Sequence, residues 1–260
     1  MPARKKAAKK NRKANRKTGR KKSPPKGLSA KELDQWMMCF SHEFRTPLNS
    51  ILTFSDMMIS MNDGSMDGES LEFLSLIHTD GMRLLRLVEK TTLLIDLEQG
   101  KAVFYSKPVS LPETFNLVVE AMGSSDLKSV LKTGFPQKLD VQADRLKLEN
   151  LLKEILENAA VHGEQGKPIT VAAKSSGRTV EMKVANSMPA EHKADPKKVF
   201  AKFIQGNMGD LTSKPPGMGV GLAICRHIAK AFRGKITCKR PSKGKWVTTI
   251  SLPKASYGGG

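Results

Sequence analysis

Two long stretches of this chain carry apolar residues at helical spacing, with a polar turn between them. That pattern limits residues 28–100 to a helical hairpin. Leu33, Met37, Phe40, Phe44, Leu48 and Ile51 recur at steps of three and four, the signature of a helix with one buried seam. After the Gly, Asp and Ser-rich segment MNDGSMDGES, a second run carries Leu71, Leu74, Ile77, Leu84, Leu85, Val88 and Ile95 to about Glu98. A single hairpin buries two such stripes poorly. Pairing two hairpins into a four-helix bundle covers them, which predicts a homodimer.

Beyond Gly100 the pattern breaks into shorter alternating pieces. A strand is expected at 102–105, helices at 112–122 and 143–162, strands at 169–173 and 180–185, a helix at 220–232 and a terminal hairpin through 235–238 and 246–252. Gly177 is expected to turn the first hairpin and the Pro-Ser-Lys-Gly stretch at 241–244 the last. This reads as an α+β domain following the hairpin.

The formal charge of +19 is unevenly spread: residues 1–26 hold thirteen Lys or Arg and no acid, leaving 31 basic against 25 acidic residues in the rest. The segment lacks branched apolar and aromatic residues, so it cannot bury enough surface to offset its ordering entropy and is expected to be disordered. Such a tail could neutralise phosphates on nucleic acid or an anionic membrane, without reading sequence. No apolar run approaches the roughly 18 residues of a transmembrane helix, and the tail does not resemble a signal or transit peptide. Cys39, Cys225 and Cys238 are odd in number and lack metal-ligand spacing, which fits a reducing cytoplasm. His78, His162, His192 and His227 are scattered, so neither zinc nor iron is expected.

Within the first helix, Ser41-His42-Glu43-Phe44-Arg45-Thr46-Pro47-Leu48 places a nucleophile beside a proton acceptor. Thr46 lies one turn below His42. Pro47 removes the backbone donor that would bond back to Glu43, so a bend is expected there. A neutral imidazole has one bare nitrogen. A carboxylate accepting the N–H of the other fixes that tautomer and stabilises the cation formed on phosphorylation, a role for which Glu43 is well placed. The string FSHEFRTPLNSI closely resembles the phosphoacceptor box of sensor histidine kinases.

Two further boxes follow in order. In Glu154-Ile155-Leu156-Glu157-Asn158-Ala159, four-residue spacing puts Glu154 and Asn158 on one helix face. The string resembles the N box of the ATPase superfamily shared by histidine kinases, gyrase, Hsp90 and MutL. By that resemblance Asn158 would ligate Mg²⁺ through its oxygen and His162 would face the phosphates or ribose of ATP. Glu154 stands where many kinases have Asn, while the ATPase branches use Glu as a general base. Gly217, Gly219 and Gly221, followed by Leu222, open an apolar helix and let backbone N–H groups approach phosphate. They resemble the second glycine box. Phe200 and Phe203 resemble the F box, and the stretch from about Gln205 to Pro216 fits a lid. The first glycine box departs from the family: Asn186-Ser187-Met188-Pro189-Ala190 replaces Asp-x-Gly-x-Gly. Asn186 can still accept from the adenine amino group, without charge assistance, and Met188 and Ala190 are expected to narrow the adenine pocket or remodel its loop.

The resemblance covers about Leu33 to Pro253. It implies a dimerising phosphotransfer hairpin over 28–100 and an ATP-binding α+β two-layer sandwich over 101–254, with the basic tail expected over 1–27 and a flexible end over 255–260. The activity it implies is ATP- and Mg²⁺-dependent autophosphorylation of His42, then transfer to a separate response-regulator receiver. Thr46 could orient a water for dephosphorylating that partner. The alternatives are a degenerate kinase acting as phosphatase or phosphotransfer adaptor, and a scaffold tethered by the tail. A gyrase or MutL-type ATPase would leave the His42 box without a role.

Overall fold

The computed structural model describes residues 30–189, 194–202 and 219–256, with side chains from Phe44 onward and Asp126 excepted. The basic tail, the lid stretch, His192, Phe203, Gly217 and the side chains of Cys39, His42 and Glu43 lie outside the described residues.

Helix α1 (Ala30–Ser60) runs through Pro47, and α2 (Gly68–Glu98) returns alongside it. The turn is built by its carboxylates and amides: Asn62 Oδ1 accepts from Gly64 N at 3.1 Å, and Asp67 Oδ1 caps α2 by accepting from Ser70 N at 2.8 Å. The helices meet at Gly81, where an added Cβ would lie 3.0 Å from Leu52 Cδ2. They meet again where Ser55 Oγ and His78 Nδ1 are 3.3 Å apart. The seam toward α2 is Leu48, Leu52 and Ser55, all buried. Phe44 and Ile51, expected on that seam, are instead 39% and 48% exposed, and Phe54, Met57, Met58, Phe73, Leu76, Ile77 and Leu84 are exposed as well. The apolar stripe is wider than one partner helix can cover.

The expected strand at 102–105 is not formed. There the Tyr105 N–H donates to the Asp144 carboxylate at 2.8 Å, so a side chain takes the place of a strand ladder. The sandwich runs β1 (Lys107–Ser110), α3 (Leu111–Ala121), α4 (Ser125–Val130), β2 (Leu131–Gly134), β3 (Asp140–Ala143), α5 (Arg145–His162), β4 (Ile169–Ser176), β5 (Thr179–Ser187), α6 (Gly221–Ala231), β6 (Lys235–Ser242) and β7 (Lys245–Pro253). Ala143, expected in the helix, ends β3, because Asp144 caps α5 through Lys147 N at 3.1 Å. Strands β1 and β3 form a small antiparallel pair. The main sheet has the order β2-β4-β5-β7-β6, antiparallel except for β2 against β4.

Alternation sets the two layers. Val180, Met182, Val184 and Asn186 of β5 turn to one face with Val171 and Ile250, and α3, α5 and α6 cover it with Phe115, Leu148, Leu152, Ile155, Ile224 and Ile228. Leu94 of α2, only 4% exposed, belongs to this same core, and Leu93 and Leu97 pack against it. The hairpin's second helix therefore ends inside the sandwich core.

Candidate active site

Helix α5 is amphipathic. Leu148, Leu151, Leu152, Ile155, Leu156 and Ala159 are buried toward the sheet, leaving Glu154, Glu157 and Asn158 half-buried on another face. Glu154 Oε1 lies 2.6 Å from Lys90 Nζ of α2, and Glu157 Oε2 lies 3.0 Å from the same ammonium. Burial raises the Glu154 carboxyl pKa and Lys90 opposes that rise. Burial works against the charged Lys90 too, but its two carboxylate partners outweigh it and hold the lysine above its ordinary range.

The other Glu154 oxygen, Oε2, abuts Gly221, the first residue of α6, so closely that a Cβ there would overlap it. Any side chain at 221 would therefore displace the Glu154 carboxylate. At 219 glycine is required by conformation, with φ +67°. Val220, at the N-cap of α6, makes no side-chain cap bond, so among the described residues the first N–H groups of the helix, from Gly221 and Leu222 onward, lack the cap that most helices supply. An uncapped helix start beside a polar helix face suits an anionic ligand.

Asn186, the next-to-last residue of β5, is buried opposite Trp246 in register. Its Nδ2 donates to Ser187 O at 3.2 Å, which leaves Oδ1 as its acceptor. Nearby is Gly163, where a Cβ would lie 2.5 Å from Ala159 O and 3.7 Å from Asn186 Nδ2. Sequence reasoning missed Gly163; its position just after the last turn of α5 was the available signal. Met188 does not stand alone in the loop: it is buried with Cys238 and Trp246, Phe200 packs over this group, and the Met188 N–H donates to Gly244 O at 3.0 Å. The apolar side chain has been taken into a satellite core.

The structure brings Glu154 of α5 against Gly221 of α6; Asn158 lies one turn further along α5, Leu222 follows Gly221, and Asn186 approaches Gly163 just past the exposed His162 at the end of α5. Thr46 is exposed on α1. Lys90 was not anticipated, and its pairing spans 64 positions of sequence. A second set of contacts ties the end of α2 to other parts of the domain: Glu98 lies 3.0 Å from Lys202 Nζ in the 194–202 segment and 3.9 Å from His227 Nε2 of α6, whose pKa is lowered chiefly by burial.

Two family models match the chain. Residues 34–100 match the His Kinase A (phospho-acceptor) domain, and residues 143–256 match the histidine kinase-, DNA gyrase B- and HSP90-like ATPase. Among curated relatives, histidine protein kinase DivJ of Caulobacter vibrioides is 27% identical over 82% of this chain and 36% of its own length. Signal transduction histidine-protein kinase BaeS of Escherichia coli is 26% identical over 84% of this chain and 46% of its own. The chain spans less than half the length of these relatives. Among solved structures, full-length ShkA in complex with AMPPNP has a TM-score of 0.68 at 20% identity, covering 86% of this chain and 46% of ShkA. Acinetobacter baumannii histidine kinase AdeS has 0.57 at 21%, covering 83% of this chain and 98% of that one. These two likenesses establish the fold. With a phospho-acceptor domain followed by an ATPase domain, the chain belongs to the histidine kinases.

Proposed function

We propose that this chain is a histidine kinase core that autophosphorylates His42 from ATP and passes the phosphoryl group to an aspartate on a separate response-regulator receiver. The observation that carries this reading is the contact of Glu154 with Gly221, which brings the polar face of α5 against the uncapped start of α6. Asn158 would hold Mg²⁺ through its amide oxygen, an ion that neutralises developing phosphate charge. The α6 N–H groups, with Gly217, Gly219, Gly221 and Leu222, receive the phosphates; His162 faces phosphate or ribose, and Asn186 Oδ1 accepts from the adenine amino group. The bare nitrogen of His42 forms a bond to the γ-phosphorus as the bond to the bridging oxygen breaks and ADP leaves. Glu43 holds the other ring N–H, Glu154 serves the site as a carboxylate, and Thr46 orients water in the reverse, phosphatase direction.

The exposed apolar face of Ile51, Phe54, Phe73 and Ile77 supports a homodimer in which two hairpins, residues 28–100, form a four-helix bundle beside ATP-binding domains over 101–254. Among the described residues no helix is long and apolar enough to cross a membrane. We place the protein in the cytoplasm, with the tail over 1–27 available to nucleic acid or anionic membrane. A second reading, a phosphatase or phosphotransfer adaptor, is favoured by Asn186, an uncharged acceptor where the family has a carboxylate.

The test is incubation with Mg²⁺ and γ-labelled ATP alongside His42→Ala and Asn158→Ala. Acid-labile, base-stable label that both variants lose is expected. A folded dimer that takes no label moves the assignment to the second reading.

A further inference from the structure

Lys90, Leu94 and Glu98 follow one another at four-residue steps on α2 and so share one stripe of the helix. All three engage the ATP-binding domain: Lys90 the carboxylates of Glu154 and Glu157, Leu94 the sandwich core, and Glu98 the ammonium of Lys202. An apolar contact flanked by two oppositely oriented ion pairs fixes both position and register, because sliding the helix by one turn would bring unlike groups together. Lys90, the first residue of the stripe, is also level with the acceptor histidine. Ser55 faces His78, and Leu48 and Leu52 face Gly81. Carried up the hairpin, this antiparallel register sets the backbone of His42 opposite residues 87–91, which include Lys90.

We infer that Lys90 is a positioning residue for autophosphorylation: by gripping Glu154 and Glu157 it seats the ATP-binding domain on α2 at the height of His42. This rests on the kinase reading above. The grip acts through the carboxylate that also bounds Gly221, so it fixes the nucleotide domain at the site rather than at a remote edge. Positioning of this kind alters the rate of transfer and leaves the affinity for nucleotide alone, since Lys90 meets the protein through Glu154 and Glu157.

The experiment uses the full chain with Lys90→Ala and Lys90→Arg, measuring the autophosphorylation rate at saturating Mg-ATP and, separately, the Kd for ATP by calorimetry. Lys90→Ala should lower the rate by about tenfold or more at an ATP Kd within about twofold, and Lys90→Arg should recover most of the loss. Hydrogen exchange at residues 90–98 should quicken in Lys90→Ala, independently of activity. An unchanged or faster rate in Lys90→Ala overturns the inference, as does a parallel loss of ATP affinity. Wild-type protein that binds ATP and labels, with Lys90→Ala labelling equally, defeats the inference alone. Wild-type protein that takes no label defeats the kinase reading and the inference with it.

Discussion

Gly221→Ala tests the closest approach in the site. The added methyl would overlap Glu154 Oε2, and the carboxylate is not free to move aside, because Oε1 is held 2.6 Å from Lys90. The alternative, tilting α6, would disturb Ala223, Ile224, Cys225 and Ile228, all buried. Rotating Glu154 off Lys90 is the smaller cost. Breaking a fully buried ion pair costs about 3–5 kcal/mol and a surface pair under about 1. With side chains 27% and 11% exposed, this pair falls between, at about 2 kcal/mol. Alanine returns up to about 1 kcal/mol through helix propensity, so the net loss is about 1–2 kcal/mol. In a Glu154→Ala background no other described residue lies near the methyl, and the same substitution should be neutral or stabilising by up to about 1 kcal/mol. Urea unfolding followed by the fluorescence of buried Trp246, in a Trp36→Phe background, reads this directly. Equal destabilisation in both backgrounds, or none in either, would refute the close approach.

Leu94→Ala removes a buried side chain from the sandwich core and should cost about 2–5 kcal/mol; although Leu94 lies on the hairpin, the Trp246-reported transition must shift, and a fixed midpoint would contradict the shared core. Asn186→Asp restores charge to the acceptor and should tighten Mg-ATP binding by about threefold to tenfold in calorimetry; weaker binding would show that Asn186 does not meet the base. Burial pushes the Cys238 thiol up to about 11 from 9.0 and Cys225 well above its ordinary range. A raised thiol pKa means less thiolate at a given pH, about a hundredfold less for Cys238 at pH 8. In a Cys39→Ser background, native protein should therefore react slowly with thiol reagents and yield both thiols at once in denaturant. Rapid native labelling at pH 8 would contradict this burial.

The long helices and both strand hairpins were legible because their periodicity extends over many residues: the positions of α5, β4, β5 and β7 all follow from apolar spacing. Strands β1, β2 and β3, four residues each, are too short for alternation to distinguish them from loop. Residues 102–105, Ala-Val-Phe-Tyr, are a short run of apolar, largely strand-favouring residues, but the Tyr105 N–H is claimed by Asp144, a partner that residue type does not register. The exposure of Ile51 has a similar origin, since spacing marks an apolar face without saying which neighbour covers it. At the site, residue types near in sequence, such as Glu154 and Asn158, were readable from helical geometry. Lys90 and Gly163 were not: one depends on how two domains dock, the other on backbone crowding by Ala159 O.

Helix α2 has 31 residues and so is about 46 Å long, a stiff shaft with its last turns set in the nucleotide domain. A shaft transmits torque. Any turn imposed near Asp67 arrives at Lys90, Leu94 and Glu98 together, because the three share one rigid rod. The apolar tooth at Leu94 resists leaving its socket until both flanking ion pairs strain, so rotation is converted into an engaged or a disengaged nucleotide domain rather than a graded tilt.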